Sequence, residues 1–249
     1  MSILNEIIAN TKSKLERLKS ELKLEDIKEG LGSSNIPLNS FKNSLIDKEQ
    51  AIIAEIKKAS PSAGIITKDF DPIKKAMEYE EFGASALSIL TEEDYFQGST
   101  QYLKDVKEVT NLPILRKDFI IDTYQIYESK FIGADCILLI ASVLNDEQLR
   151  EFSDLASVLE LDYLIEVHDE KELARAEMFS NAIIGVNNRN LKTFDVDIQN
   201  SIKLKSLFSK NNIFVAESGI KNQEDINTLV KHGINVFLIG ESLMKGDFS

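Results

Sequence analysis

Glu55 and Lys57 stand two residues apart in the apolar run AIIAEIK, residues 51–57, just before the turn-forming Ser60-Pro61-Ser62. Such a run, bounded by a Ser/Pro/Gly-rich turn, predicts a β-strand. Strand side chains alternate faces, so Ile53, Glu55 and Lys57 share one side while Ile52, Ala54 and Ile56 share the other. An acid and a base therefore end side by side at the strand's C-terminal tip, a pairing suited to proton transfer. Taken alone, the strand reads more simply as an edge with a solvated polar face.

The pattern recurs. In PILRKDF, Pro113, Leu115 and Lys117 share a face, and in LIEVH, Leu164, Glu166 and His168 do. In IIGVNNRN the set is Ile183, Gly185, Asn187 and Arg189; in IFVAESG it is Ile213, Val215 and Glu217, with Ser218-Gly219 opening the next loop. Five predicted strands thus end in ionisable or amide side chains. Ser60-Pro61-Ser62, Ser218-Gly219 and Gly240-Glu241-Ser242 each follow a strand with small residues that expose backbone N–H groups, as an anion site requires.

From Ala51 onward, strand patterns at 51–57, 85–90, 112–116, 135–140, 162–167, 182–187, 213–217 and 235–239 alternate with helical patterns. The helices are predicted at 71–82, 99–109, 122–131, 145–159, 169–178, 197–208 and 222–231. Gly83, Gly133 and Gly233 each close a helix before the next strand, in the left-handed conformation that stops helices. Eight such strands imply a parallel sheet closed as a (β/α)8 TIM barrel rather than an open doubly wound sheet, since no G-x-G-x-x-G follows any strand. In a barrel both strand faces are buried, so the solvated-edge explanation of Glu55 and Lys57 falls away: buried charges must be paired or functional. Barrel active sites lie at the C-terminal rim, and the loops after the seventh and eighth strands commonly hold phosphate.

Upstream, Ile3, Leu4, Ile7, Ile8, Leu15, Leu18 and Leu22 form the docking stripe of an amphipathic helix over 2–23, with a short second helix at 24–30. Residues 32–50 read as a loop. The α/β chain is expected to be one barrel domain over 1–249, with residues 1–48 an N-terminal helical extension packed on it. The helix after the last strand has little room before Ser249, so either a tail is missing or closure is unusual. The Ser62–Asp69 segment is long enough to move.

A chain of 249 residues, 43% hydrophobic, supports a large core. The net charge of −12 argues against nucleic acid as a partner, although a local pocket can still hold a phosphorylated metabolite. One cysteine, Cys136, excludes an internal disulfide and a cysteine-based metal cluster, and two histidines weigh against a His-rich metal site. No apolar run approaches the roughly 20 residues that span a bilayer, and no signal peptide is evident. The expected setting is the reducing cytoplasm. Cys136 reads as a buried small hydrophobe and His232 as an ordinary helix-end residue. His168, although beside Glu166, is not assigned a catalytic part.

Together EIKKASPS, YFQGS (95–99), LRKDFI, LIEVH, GVNNRNL, AESGI and IGESLM, in this order and spacing, resemble indole-3-glycerol-phosphate synthase, from about residue 2 to the end. The resemblance implies a carboxy-lyase of tryptophan biosynthesis that needs no metal or organic cofactor. Its substrate would be the phosphorylated small molecule 1-(2-carboxyphenylamino)-1-deoxyribulose 5-phosphate, closed to indole-3-glycerol phosphate with loss of CO2 and water. It further implies Lys117 as general acid toward the substrate carbonyl and Glu166 as acid or base in the dehydration. Lys57 would sit near the substrate's carboxylate and phosphate, with Glu55 as its partner. Asn187, Glu217 and Ser218 would position the anilino and hydroxyl groups, and Phe96 and Phe119 would wall the aromatic ring. Ser60, Gly219, Gly240 and the Glu241 backbone would hold phosphate. Arg189 would touch substrate, or brace Glu166 or Glu217. The residues alone leave open which of Lys57, Lys117 and Glu166 makes each proton transfer. A monomer without membrane or nucleic-acid partner is expected.

Three departures stand out: Lys58 where Arg is more usual, no tryptophan anywhere, and Glu241 in the Gly-x-Ser-Leu-Met turn, where only its backbone N–H would matter. Two other functions compete. Another phosphosugar barrel, such as phosphoribosylanthranilate isomerase, would need a Cys–Asp pair at strand tips, whereas Cys136 lies on the fourth strand. A barrel that merely binds a phosphometabolite would not require Lys117 and Glu166.

Overall fold

The computed structural model describes residues 3–33, 40–46, 48–190 and 193–248. Eight parallel strands close into a barrel: β1 (Ala51–Ile56), β2 (Ala86–Leu90), β3 (Ile114–Lys117), β4 (Cys136–Ile140), β5 (Asp162–Val167), β6 (Ile183–Asn187), β7 (Phe214–Glu217) and β8 (Val236–Ile239). Closure is direct: Ile53 of β1 pairs with Leu238 of β8 on one side and with Ala86 of β2 on the other. The doubt about closure is thereby removed. The final helix is a single short one, α11 (Glu241–Lys245), ended by Gly246 in the left-handed region, and the strands close without a longer one.

Around the strands run α4 (Pro72–Phe82), α5 (Thr100–Lys107), α6 (Thr123–Phe131), α7 (Asp146–Val158), α8 (Glu170–Ala176), α9 (Gln199–Leu207) and α10 (Gln223–Val230). Gly83, Gly133 and Gly233 adopt φ of 89°, 94° and 75°, so each stops its helix as the spacing predicts. At the other helix ends, Asp71, Ser99, Asp122, Asn145, Asp169 and Asn222 accept backbone N–H groups of the first turn. Those caps fix where each loop from a strand tip hands over to its helix.

Alternation sorts the core into two layers. Ile53, Leu115, Leu164, Ile183 and Val215 pack inside the barrel with Cys136, while Ala54, Ile56 and their counterparts face the helices. Two residues beyond Ile53, Leu115, Leu164 and Val215, on the same face, stand Glu55, Lys117, Glu166 and Glu217 at the C-terminal rim.

The segment 32–50 departs from the loop expected of it. Residues 34–39 and 47 lie outside the described residues, but Phe41–Ser44 form a helical turn, α3, capped by the Ser40 hydroxyl. Phe41 is fully buried against Ala51, Cys136 and Val236, closing the barrel's N-terminal end. Leu45 joins it in that core, and a single helical turn is too short for a periodic pattern to reveal the pair.

At the opposite rim, α1 (Ile3–Glu21) and α2 (Leu24–Ser33) pack on the barrel. Leu15, Leu18 and Leu22 of the predicted stripe meet Ile27, Leu31 and Tyr124. The Tyr124 hydroxyl donates to the Leu22 and Leu18 carbonyls at 3.0 and 3.3 Å, satisfying helix-end acceptors. Lys14 pairs with Asp94 at 2.6 Å and Lys19 with Asp122 at 2.7 Å, tying α1 to two loops of the rim. The loop after β1 folds back as a small antiparallel hairpin, Ala59–Ser60 with Gly64–Ile65, which the sequence reading did not anticipate. Among the described residues no helix is long and apolar enough to cross a membrane.

Candidate active site

At the C-terminal rim a cavity of about 560 Å³ opens between the strand tips and α1. Every residue singled out from the sequence as a site candidate lines it, from Glu55, Lys57 and Ser60 round to Gly240 and Glu241. Its centre is Lys117. The β3 pleat points its side chain inward, where Nζ donates to Glu217 Oε2 at 2.7 Å and Glu166 Oε2 at 2.9 Å. Glu55 and Lys57 pair directly with each other beside this triad.

Charge balance sets the protonation states. Burial opposes a charged Lys117, but the fields of Glu166, Glu217 and Glu55 outweigh it and hold its pKa above the usual lysine value. Two buried carboxylates next to one ammonium cannot both stay fully ionised without strain. Burial, reinforced by Glu166 and Glu55 against Lys117, pushes Glu217 up to about 7. Glu166 is likewise buried, yet Lys117, His168 and Asn187 overcome that penalty and hold it below the ordinary carboxylate range. The resting site therefore keeps a protonated lysine, an ionised Glu166, and a Glu217 that titrates near neutrality.

Each tip is braced. Asn187 Nδ2 donates to Glu166 Oε1 at 3.2 Å. Gly185 has no side chain because a Cβ there would lie 2.0 Å from Glu217 Oε1. Similarly, a Cβ on Gly240 would lie 2.3 Å from Glu55 Oε2. Behind Lys117, on the outer face of β3, buried Arg116 spans Asp118 at 3.1 Å and Glu128 at 2.8 Å and bonds the Ser129 hydroxyl at 3.1 Å. This ion network locks the β3 tip. The sequence reading passed over it, although two of its members lie within LRKDFI.

Phe96 and Phe119 form one apolar side of the cavity, with ring centroids 6.1 Å apart. Glu92 holds the Phe96 loop by accepting the backbone N–H groups of Tyr95 and Phe96 at 2.7 and 3.0 Å. Gly98 lets that loop close on β2, since a Cβ would lie 2.4 Å from the Leu90 carbonyl oxygen. From α1, Ile3, Leu4 and Ile7 complete the apolar lining, a use of the stripe that the docking reading did not include.

On the opposite side, Ser218 and Gly219 both take positive φ, 66° and 80°, turning the loop after β7 sharply. The short α11 begins at Glu241 just after β8, and Gly240, Glu241 and Ser242 at its start line the cavity, as Ser60 does. Arg189 does not brace Glu166 or Glu217. It donates to the Phe194 carbonyl at 3.3 Å and reaches Glu241 Oε2 at 3.7 Å. The Glu241 side chain is engaged too, with Lys245 at 2.6 Å, so more than its backbone takes part in the rim's charge pattern. His168 stands 3.4 Å from Glu166 Oε1. Cys136 lies at the base of β4, fully buried with its thiol pushed up by burial, far from the role a Cys-based isomerase would need.

Comparison with known proteins agrees with this geometry. The family model described as indole-3-glycerol phosphate synthase matches residues 4–248. The indole-3-glycerol phosphate synthase of Campylobacter fetus is 50% identical over 244 residues, covering 98% of this chain and 94% of that protein. The one from Ruminiclostridium cellulolyticum is 48% identical over 244 residues at the same coverage. Among solved structures, the N-acetylmannosamine-6-phosphate 2-epimerase of Clostridium perfringens aligns with a TM-score of 0.62 at 15% identity, covering 86% of this chain and 95% of that one. Phosphoribosylanthranilate isomerase from Thermotoga maritima aligns with a TM-score of 0.55 at 10% identity, covering 78% and 88%. Likeness that remote speaks for the barrel alone. The sequence match over nearly the whole length is of another order, and the chain belongs to the indole-3-glycerol phosphate synthase family.

Proposed function

We propose that this chain closes the indole ring of 1-(2-carboxyphenylamino)-1-deoxyribulose 5-phosphate, releasing CO2 and water to give indole-3-glycerol phosphate in tryptophan biosynthesis. The observation that carries the reading is the Lys117 ammonium held between Glu166 and Glu217 inside a cavity that Phe96, Phe119, Ser60, Gly219 and Gly240 also line.

In the first step the ring carbon bearing the carboxylate attacks the substrate's ketone carbon. A carbon–carbon bond forms, and the carbonyl electron pair moves to oxygen. Lys117 supplies both the charge that stabilises this oxyanion and the proton that neutralises it; an alkoxide is a much stronger base than either carboxylate holding the ammonium. Loss of CO2 then returns the bonding pair to the ring. The Phe96–Phe119 side favours it, because a carboxylate stripped of water loses CO2 more readily than a hydrated one. In the last step the new hydroxyl leaves as water and the ring gives up a proton, with Glu166 managing the proton. Lys57, oriented by Glu55, faces the substrate's carboxylate and phosphate. Asn187, Glu217 and Ser218 position the anilino nitrogen and hydroxyls. Ser60, Gly219, Gly240 and the Glu241 N–H hold the phosphate, and Arg189 contacts substrate from the loop after β6. A cytoplasmic monomer is part of the same reading; sedimentation at working concentration checks the second half.

The test is Lys117→Ala. It should abolish turnover while the folded variant still binds substrate. Retention of turnover near the parent level would refute the assignment of Lys117.

A further inference from the structure

His168 does not line the cavity, yet it touches the residue that does the late chemistry. It sits one residue beyond β5, 16% exposed at its side chain. Its Nε2 faces Glu166 Oε1 at 3.4 Å, and its Nδ1 faces Glu172 Oε2, on α8, at 3.1 Å. Glu172 Oε2 also accepts the His168 backbone N–H at 2.8 Å, and Asn200 Nδ2 donates to the His168 carbonyl at 3.2 Å. The ring is thus pinned from both main-chain sides.

A neutral imidazole has one donor and one acceptor nitrogen. If Nδ1 carries the proton for Glu172, the Nε2 lone pair points at a carboxylate oxygen and repels it. Only the imidazolium can bond Glu172 through Nδ1 and at the same time set a positive charge 3.4 Å from Glu166, with which Nε2 makes no hydrogen bond. We propose that His168 is a positioning residue for Glu166: its imidazolium, anchored by Glu172, holds the Glu166 carboxylate ionised and turned toward Lys117 and Asn187. The inference rests on the reading above that Glu166 handles the dehydration proton.

Three carboxylates face the ring: Glu166 from β5, Glu172 from α8 and, farther off, Glu217 from β7. Burial works against the charged ring, but these three outweigh it and raise the His168 pKa above the ordinary histidine value. Glu166 feels the reciprocal effect, with His168 second only to Lys117 in holding it ionised against burial. Two cations therefore share one carboxylate: Lys117 on Oε2, inside the cavity, and His168 near Oε1, behind it. When Lys117 gives its proton to substrate, His168 is the cation that remains beside Glu166.

The chain has only two histidines, which makes the experiment direct. Ring resonances of the full-length protein are followed by NMR against pH, in the parent, in Glu172→Gln and in Glu166→Gln. His232, exposed at the end of α10, supplies a second resonance that neither substitution should move. The His168 midpoint should lie above the ordinary histidine value and fall by about one pH unit in each variant, the shift expected of a unit charge at this distance even under strong screening. In parallel, kcat is measured against pH for His168→Asn. The acid limb should move up by about one pH unit, with KM little changed and turnover recovering at higher pH, where Lys117 alone keeps Glu166 ionised. A His168 midpoint that ignores both substitutions overturns the proposal, as does a turnover deficit of the same factor at every pH. Full activity of Glu166→Gln would instead refute the role of Glu166 itself, independently of what the ring titration shows.

Discussion

Glu217 is where stability and function should pull apart. It is 1% exposed, and its carboxyl titrates near 7 because burial, with Glu166 and Glu55 nearby, outweighs Lys117. In the unfolded chain the same group titrates near 4.5. Between those values the folded protein keeps a proton that the unfolded chain has released, so this group's contribution to stability falls as pH rises. Between pH 5 and pH 8 that loss comes to about 2–3 kcal/mol. Glu217→Gln removes the titration while keeping shape and one acceptor for Lys117. It leaves Lys117 balanced by Glu166 alone. The amide adds a constant cost where Glu217 Oε1 has no hydrogen-bond partner among the described residues, but a constant cancels in a comparison between two pH values. Urea unfolding of parent and variant at pH 5 and pH 8 should therefore show the variant gaining on the parent by about 2–3 kcal/mol over that interval. Turnover should fall at both. A stability difference independent of pH, or one that moves against the variant as pH rises, would refute this account of the triad's charge balance.

Other substitutions test separate supports of the site. Gly240→Ala should leave the fold intact but push the Glu55 carboxylate off its place beside Lys57, lowering kcat/KM about 10–100-fold; steady-state kinetics within twofold of the parent would contradict it. Arg116→Met should strand Asp118 and Glu128 without their cation, lowering stability by about 3–5 kcal/mol in urea unfolding. A loss below about 1 kcal/mol would show that the network behind β3 matters little.

Much of this architecture could be read from local pattern. All eight strands and the seven helices that alternate with them fall within two residues of their predicted ends, because apolar period and helix-stopping glycines both act over short stretches. The rim residues were legible for another reason. A charge on the inward face of a buried strand is costly, so Glu55, Lys117, Glu166 and Glu217 advertise themselves by being there at all. What escaped depends on how the folded chain places each side chain against its partners. Phe41 fills the barrel's far end through contacts made only when the strands close. Arg116 sits on the outward face of β3, where pattern alone expects an apolar residue, and its stability comes from Asp118 and Glu128 on neighbouring elements. His168 looked like an ordinary junction residue until α8 brought Glu172 to its other nitrogen. Arg189 was expected to touch substrate or to brace Glu166 or Glu217; the loop after β6 folds back at Val196 and carries it toward Glu241 rather than to either carboxylate.

The most direct measurement of the central claim is a continuous fluorescence assay for indole-3-glycerol phosphate, with the parent protein, the carboxyphenylamino-deoxyribulose phosphate and EDTA present, and released CO2 quantified in the same samples. The account predicts fluorescence growth with one CO2 per product formed. A folded parent that binds the substrate yet yields neither product nor CO2 would contradict it and leave a phosphometabolite-binding barrel in its place.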